Sequence, residues 1–127
     1  MEKKTFDTSE RLKSRKIIER IFNREGKSFS NYPLRVIWLE TPLDTTFPVQ
    51  ITFSVSKKKF KKAVNRNRIK RLMREAYRLN KAKLYASLSA QEKQGAIIII
   101  YAANEELSFQ EIESKMKQAL KRLRRIV

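Results

Sequence analysis

The chain is expected to fold as one α+β domain, a small mixed β-sheet packed with helices, and three observations predict it. The segment Gln50 to Ser56 alternates, with Ile51, Phe53 and Val55 on one face and Gln50, Thr52 and Ser54 on the other, the signature of a half-buried strand. The run Ala96-Ile97-Ile98-Ile99-Ile100-Tyr101 is β-branched and reads as a buried strand. Around these segments the period becomes helical, with apolar stripes at Ile69, Leu72, Met73, Ala76 and Leu79 and at Phe109, Ile112, Met116, Ala119, Leu120 and Leu123. The predicted order is α-β-β(-β)-α-β-α over residues 1–127, with 1–8 and 126–127 expected as loose ends.

In chain order, Ser14 suits a helix N-cap, and Ile17, Ile18, Ile21 and Phe22 repeat at helical spacing over roughly 15–24. Gly26 suits the position just beyond the C-cap. Leu34 to Leu39 is rich in β-formers and reads as a strand. Pro42, Asp44, two threonines and Pro48 mark the connection that follows. From Lys57 to Arg78 the period changes, with the basic residues set around the helical stripe Ile69 to Leu79, and Leu84, Tyr85 and Leu88 hint at one more helical turn before Gly95. Ser108 and Glu111 have capping-box spacing and open the last helix.

Charge narrows the function. Lys and Arg total 30 against 13 Asp and Glu, a formal net charge of +17, and such self-repulsion calls for a polyanionic partner. Nucleic acid is the leading candidate, because each neutralised phosphate releases condensed counterions. No cysteine and no histidine is present, which removes disulfides, thiolate metal sites and the commonest general base. The longest apolar run is too short to span a bilayer, and no lipidation signal is visible, so a soluble cytoplasmic protein with no membrane partner is expected.

The positive charge is concentrated. Lys57, Lys58, Lys59, Lys61, Lys62, Arg66, Arg68, Lys70, Arg71, Arg74 and Arg78 face a single nearby acid, Glu75. On a helical projection Asn67, Lys70, Arg71, Arg74 and Arg78 share roughly one third of the circumference, opposite the apolar stripe. A face kept for solubility mixes both signs, whereas guanidinium forks match phosphate oxygens in pairs.

The stretch Lys61-Lys62-Ala63-Val64-Asn65-Arg66-Asn67-Arg68-Ile69-Lys70-Arg71-Leu72-Met73-Arg74-Glu75 resembles the signature of the bacterial ribonuclease P protein family. Phe53-Ser54-Val55-Ser56-Lys57-Lys58 resembles the family's strand entering that motif. Arg11-Leu12-Lys13 with Ile21-Phe22, then Lys27 to Asn31, resemble its N-terminal helix and the turn after it, and 96–101 with Leu107-Ser108-Phe109 its C-terminal part. The resemblance implies a left-handed crossover through the basic helix, although such connections are right-handed in about 98% of cases. It implies that Lys58, Lys62, Arg66, Asn67, Arg68, Lys70, Arg71 and Arg74 bind a catalytic RNA. It also implies a cleft holding the single-stranded 5′ leader of precursor tRNA. Mg²⁺ would be bound chiefly by the RNA, which would carry the endonuclease chemistry, and the protein would supply no catalytic residue.

For the cleft, the open face of the 50–56 strand offers Thr52 and Ser54, Arg35 and Ile37 share that face if the neighbouring strand pairs in the usual way, and Ile18 and Phe22 supply the opposite wall. An Ile/Phe stripe serves core packing as readily as ligand contact, so both roles stand at this stage. The family usually has aromatics where Ile18 and Ile37 align, which leaves Phe22 as the main stacking candidate. Tyr32 and Trp38 fall on the other face by alternation.

Three rivals remain on sequence alone. A ribosomal binding module has the same composition. A DNA-binding helix-turn-helix protein needs a helix where the 50–56 strand lies, so DNA is not the expected partner. A protein nuclease needs paired carboxylates or histidine, and the acids are scattered singly.

Overall fold

The computed structural model describes residues 5–127. The fold is a four-stranded mixed sheet with helices on both faces: α1 (Arg15–Phe22), β1 (Lys27–Asn31), β2 (Leu34–Glu40), β3 (Val49–Val55), α2 (Ala63–Asn80), α3 (Ala82–Ala90), β4 (Gly95–Tyr101) and α4 (Phe109–Ile126). The strand order is β1-β2-β4-β3. β1 with β2 and β2 with β4 are antiparallel, while β3 and β4 are parallel and joined by the crossover through α2 and α3.

Alternation sorts the side chains into two cores. Leu34, Val36 and Trp38 of β2, Ile51, Phe53 and Val55 of β3, and Ile97, Ile99 and Tyr101 of β4 pack in the larger core with α2, α3 and α4. Ile37, Leu39, Ala96 and Ile98 form the smaller core, closed by Leu12 and by Ile21 of α1. β4 lies between β2 and β3 and is buried on both faces, which accounts for its unbroken apolar sequence.

Local chemistry sets most boundaries. Ser14 Oγ accepts the Ile17 N–H at 3.3 Å, and Ser108 Oγ accepts the Glu111 N–H at 3.2 Å, so both expected N-caps form. Gly26 does not take the left-handed position after α1; Arg24 does, with φ 64°. The Arg24 N–H donates to Ile21 O and the Glu25 N–H to Arg20 O, a Schellman closure that needs one left-handed residue directly after the cap. Gly26 answers a different need. A Cβ there would sit 2.2 Å from the Trp38 carbonyl oxygen, and one on Gly95 would sit 2.1 Å from the Trp38 ring. Both glycines of the chain are therefore required by one tryptophan.

Three elements differ from expectation. Lys27–Asn31, expected as a turn, is strand β1, in which only Phe29 is buried. Ala82–Ala90 is a full helix, α3, held by the buried Leu84 and Leu88. The buried face of α2 is Ile69, Met73, Ala76 and Tyr77, rotated away from Leu72 and Leu79, because Tyr77 meets Phe6 and Phe53 edge-on and its hydroxyl donates to Tyr85 at 2.8 Å.

Of the ends expected to be loose, residues 1–4 lie outside the described residues. Residues 5–8 are docked, with Phe6 against the larger core and Asp7 capping a single 3-10 turn, Thr8–Glu10. Ile126 and Val127 also pack against the core. Among the described residues no helix is long and apolar enough to cross a membrane.

Candidate nucleic-acid interface

α2 is a helix of 18 residues, roughly 27 Å long, with one face against β3 and α4 and the opposite face turned outward. Asn67 and Arg71 are exposed, and Lys70 and Arg74 are half-buried beside them. Lys58 and Lys62, in the connection leading to α2, are exposed as well.

These residues are not equivalent. The Arg66 guanidinium donates to the carbonyls of Phe60 and Lys61, both at 2.9 Å, and so ties down the β3–α2 connection. Arg68 pairs with Glu106 at 3.2 Å, and Arg78 with Glu75 at 2.5 Å. Among the described residues no acid lies within ion-pair distance of Lys58, Lys62, Lys70, Arg71 or Arg74. Within α2, and among the described residues, Lys70, Arg71 and Arg74 are therefore the cations that neither an acid nor a carbonyl engages.

The N-terminal segment adds to these cations. Arg11-Leu12-Lys13 is not part of α1; it runs extended along the edge of β3, with Arg11 bridging Ile51 in parallel and the Leu12 N–H donating to Ile51 O at 3.0 Å. A groove of about 230 Å³ results, lined by Phe6, Arg11, Lys13, Thr52, Lys70 and Arg74. Burial, and then the neighbouring charges of Arg11 and Arg71, hold the Arg74 pKa below the usual guanidinium range. Guanidiniums crowded in this way gain stability from any anion placed between them. Sequence reasoning left Arg11 and Lys13 out of the interface, since their place depends on pairing with a strand forty residues away.

The four predicted cleft residues that belong to strands, Arg35, Ile37, Thr52 and Ser54, lie on one sheet face, while Ile18 and Phe22 are on α1. The register aligns Ser30, Arg35, Ile100 and Ser54 in one cross-strand row and Ser28, Ile37, Ile98 and Thr52 in the next. Arg35 is exposed, and Thr52, Ser54 and Ile100 are half-buried. Ile37 belongs to the closed core under α1, with Ile18 half-buried against it, so these two serve packing. Phe22 differs: it is 61% exposed at the end of α1. Trp38 lies in the larger core on the other face, as alternation predicts, and Tyr32 is exposed outside the strands.

Comparison with known proteins decides the kinship. The ribonuclease P family model matches residues 6–124. This chain belongs to the ribonuclease P protein family. It is 40% identical over 115 residues to the ribonuclease P protein component of Porphyromonas gingivalis, covering 91% of this chain and 83% of that one. The Clostridioides difficile protein component is 32% identical over 119 residues, covering 92% and 94%. Among solved structures, the Staphylococcus aureus RNase P protein superposes with TM-score 0.71 at 25% identity, covering 91% of this chain and 96% of that one. The Thermotoga maritima RNase P protein gives 0.67 at 29%, covering 89% and 96%. Members of the family are components of a tRNA-processing ribonuclease, and the α2 motif, the sheet and the N-terminal segment all fall within the matched span.

Proposed function

We propose that the chain is the protein subunit of a ribonuclease P holoenzyme, bound through α2 and Arg11 to the catalytic RNA and through the sheet face to the 5′ leader of precursor tRNA. The observation that carries this is the cationic face of Lys70, Arg71 and Arg74, left without acid partners inside the motif that matches the family. The reaction is hydrolysis of one phosphodiester in the bacterial cytoplasm, leaving a 5′ phosphate on the mature tRNA.

Among the described residues no group of three or more His, Cys, Asp or Glu side chains gathers. In this reading Mg²⁺ is held by the RNA, and the protein's part is to screen phosphate repulsion, align the leader and hold the substrate. Phe22 offers an exposed ring for stacking, while Arg35 and the hydroxyls of Thr52 and Ser54 offer donors to the backbone of the strand.

Reconstitution tests this function. The purified chain, free of RNA, should leave precursor tRNA intact at every Mg²⁺ concentration. Added to ribonuclease P RNA, it should lower the Mg²⁺ needed for cleavage at the mature 5′ end. Cleavage by the RNA-free chain, or no effect of the chain on the RNA, would overturn the proposal.

A further inference from the structure

A second cationic groove lies in the helical layer, away from the motif face. It has a volume of about 370 Å³ and forms where the end of α2, the start of α3 and the C-terminal half of α4 meet. Lys83 comes from α3, while Lys117, Lys121 and Arg124 are spaced i, i+4 and i+7 on α4 and so share one side of that helix. Leu84 and Leu120 close the floor at 1% and 3% exposure. On the helical projection Leu79, which lines this groove, is roughly 140–180° around α2 from Arg74 and Lys70. The two cationic surfaces are therefore separate.

The charge here lacks an internal explanation. None of the four cations forms an ion pair with an acid among the described residues. The nearest acid along α4, Glu113, accepts a hydrogen bond from Asn80 at 3.1 Å, and no acid follows it in the sequence. The helix dipole favours cations in the last turn, which accounts for Arg124 and Arg125. That effect fades beyond one turn, so it does not account for Lys117 or Lys121, and Lys83 is on another helix.

We propose that Lys83, Lys117, Lys121 and Arg124 form a second phosphate-binding surface, which takes the sugar–phosphate backbone of a segment of the catalytic RNA remote from the one on α2. The proposal rests on the chain being an RNA-bound subunit. A lipid surface suits the groove less well. The exposed large apolar side chains among the described residues are Phe22, Tyr32 and Val64, none of which lines it, so nothing there inserts into acyl chains. Two separated contacts on one RNA also convert the second binding event into an intramolecular one, which raises affinity without any further contact.

The test compares K83A/K117A/K121A/R124A with R71A/R74A and with a control, K27A/K93A/K115A, each checked by a melt. K117A/K121A, which alters two exposed positions, replaces the fourfold variant if that one fails to fold. Affinity for ribonuclease P RNA is measured against salt. The groove variant should lower the salt slope by about 2–3 units, and the control by less than about one. Because the chain has no native cysteine, Lys121→Cys and Asn67→Cys can each carry a tethered RNA-cleaving probe, and they should cut different nucleotides. A groove variant that matches the control, or probes that cut the same nucleotides, would overturn the second surface. If binding to phosphatidylglycerol vesicles falls while the RNA slope holds, the groove is a lipid site and the proposal also fails. An unchanged slope in R71A/R74A would instead sink the function proposed for α2.

Discussion

Glu10 and Lys81, 71 residues apart in sequence, form an ion pair sealed from water, their side chains 1% and 6% exposed. Lys81 also donates to the Thr5 carbonyl, and the Tyr85 hydroxyl donates to Glu10 Oε1 at 2.7 Å. The pair fixes the N-terminal segment against the α2–α3 junction, and that segment brings Arg11 and Lys13 to the interface groove. Lys81→Met leaves Glu10 buried without its cation and should cost about 3–5 kcal/mol. Denaturant unfolding should show that loss, and Glu10→Leu/Lys81→Met should recover most of it. A single mutant as stable as the parent would mean that the pair holds nothing.

The same network predicts an alkaline limit. Burial raises the pKa of Tyr77 and Tyr85 well above the ordinary tyrosine value of 10.0. A group whose folded pKa is raised contributes its stability below the unfolded pKa and loses it as pH rises beyond. Stability should therefore fall progressively above about pH 10, where the unfolded tyrosines ionise. Tyrosinate absorbance from these two should appear together with loss of the fold, and titration of all four tyrosines in the intact fold would contradict the burial.

Trp38 and the α1 terminus allow opposite stability changes. Gly95→Ala drives a methyl into the Trp38 ring and should cost roughly 1–3 kcal/mol. Arg24→Gly relieves a side chain held at φ 64° and should gain about 1 kcal/mol. Chemical unfolding of both variants checks the pair of signs.

How much was legible follows from where each signal resides. The alternation of Ile51, Phe53 and Val55 and the apolar run of β4 report burial directly, so those strands were readable. β1 has one buried residue, Phe29, and too little pattern to separate it from a turn. Tyr77 looks amphipathic in sequence, and only the partners Phe6, Phe53 and Tyr85 make it core. The basic motif marked the candidate interface as a region. The division of labour within it, with Arg66 on carbonyls and Arg68 on Glu106, depends on tertiary contacts that no spacing encodes.

That division can be measured. Arg66→Ala should lower stability as well as RNA affinity, because it frees the Phe60 and Lys61 carbonyls. Arg71→Ala, at an exposed position, should leave the melt unchanged and reduce the salt slope of RNA binding by about one unit. Equal melts for the two variants would remove the structural role given to Arg66.

Phe22 separates leader contact from packing. With its ring 61% exposed, Phe22→Ala should barely change stability. It should weaken holoenzyme binding of precursor tRNA by about 1–3 kcal/mol, and leave mature tRNA, which has no leader, almost unaffected. Equal losses for both substrates would exclude a leader contact at this ring.

The central claim is that the outward face of α2 lies on the catalytic RNA, and the most direct measurement places a cleaving probe there. Asn67 is exposed on that face, and the chain has no cysteine to compete, so Asn67→Cys can carry a tethered hydroxyl-radical source. Glu105→Cys, in the loop before α4, serves as the comparison. In the assembled particle the probe at 67 should cut ribonuclease P RNA at a few discrete nucleotides that excess unlabelled protein protects, and the probe at 105 should not cut them. Diffuse cutting from position 67, or the same pattern from both positions, would contradict an interface on α2.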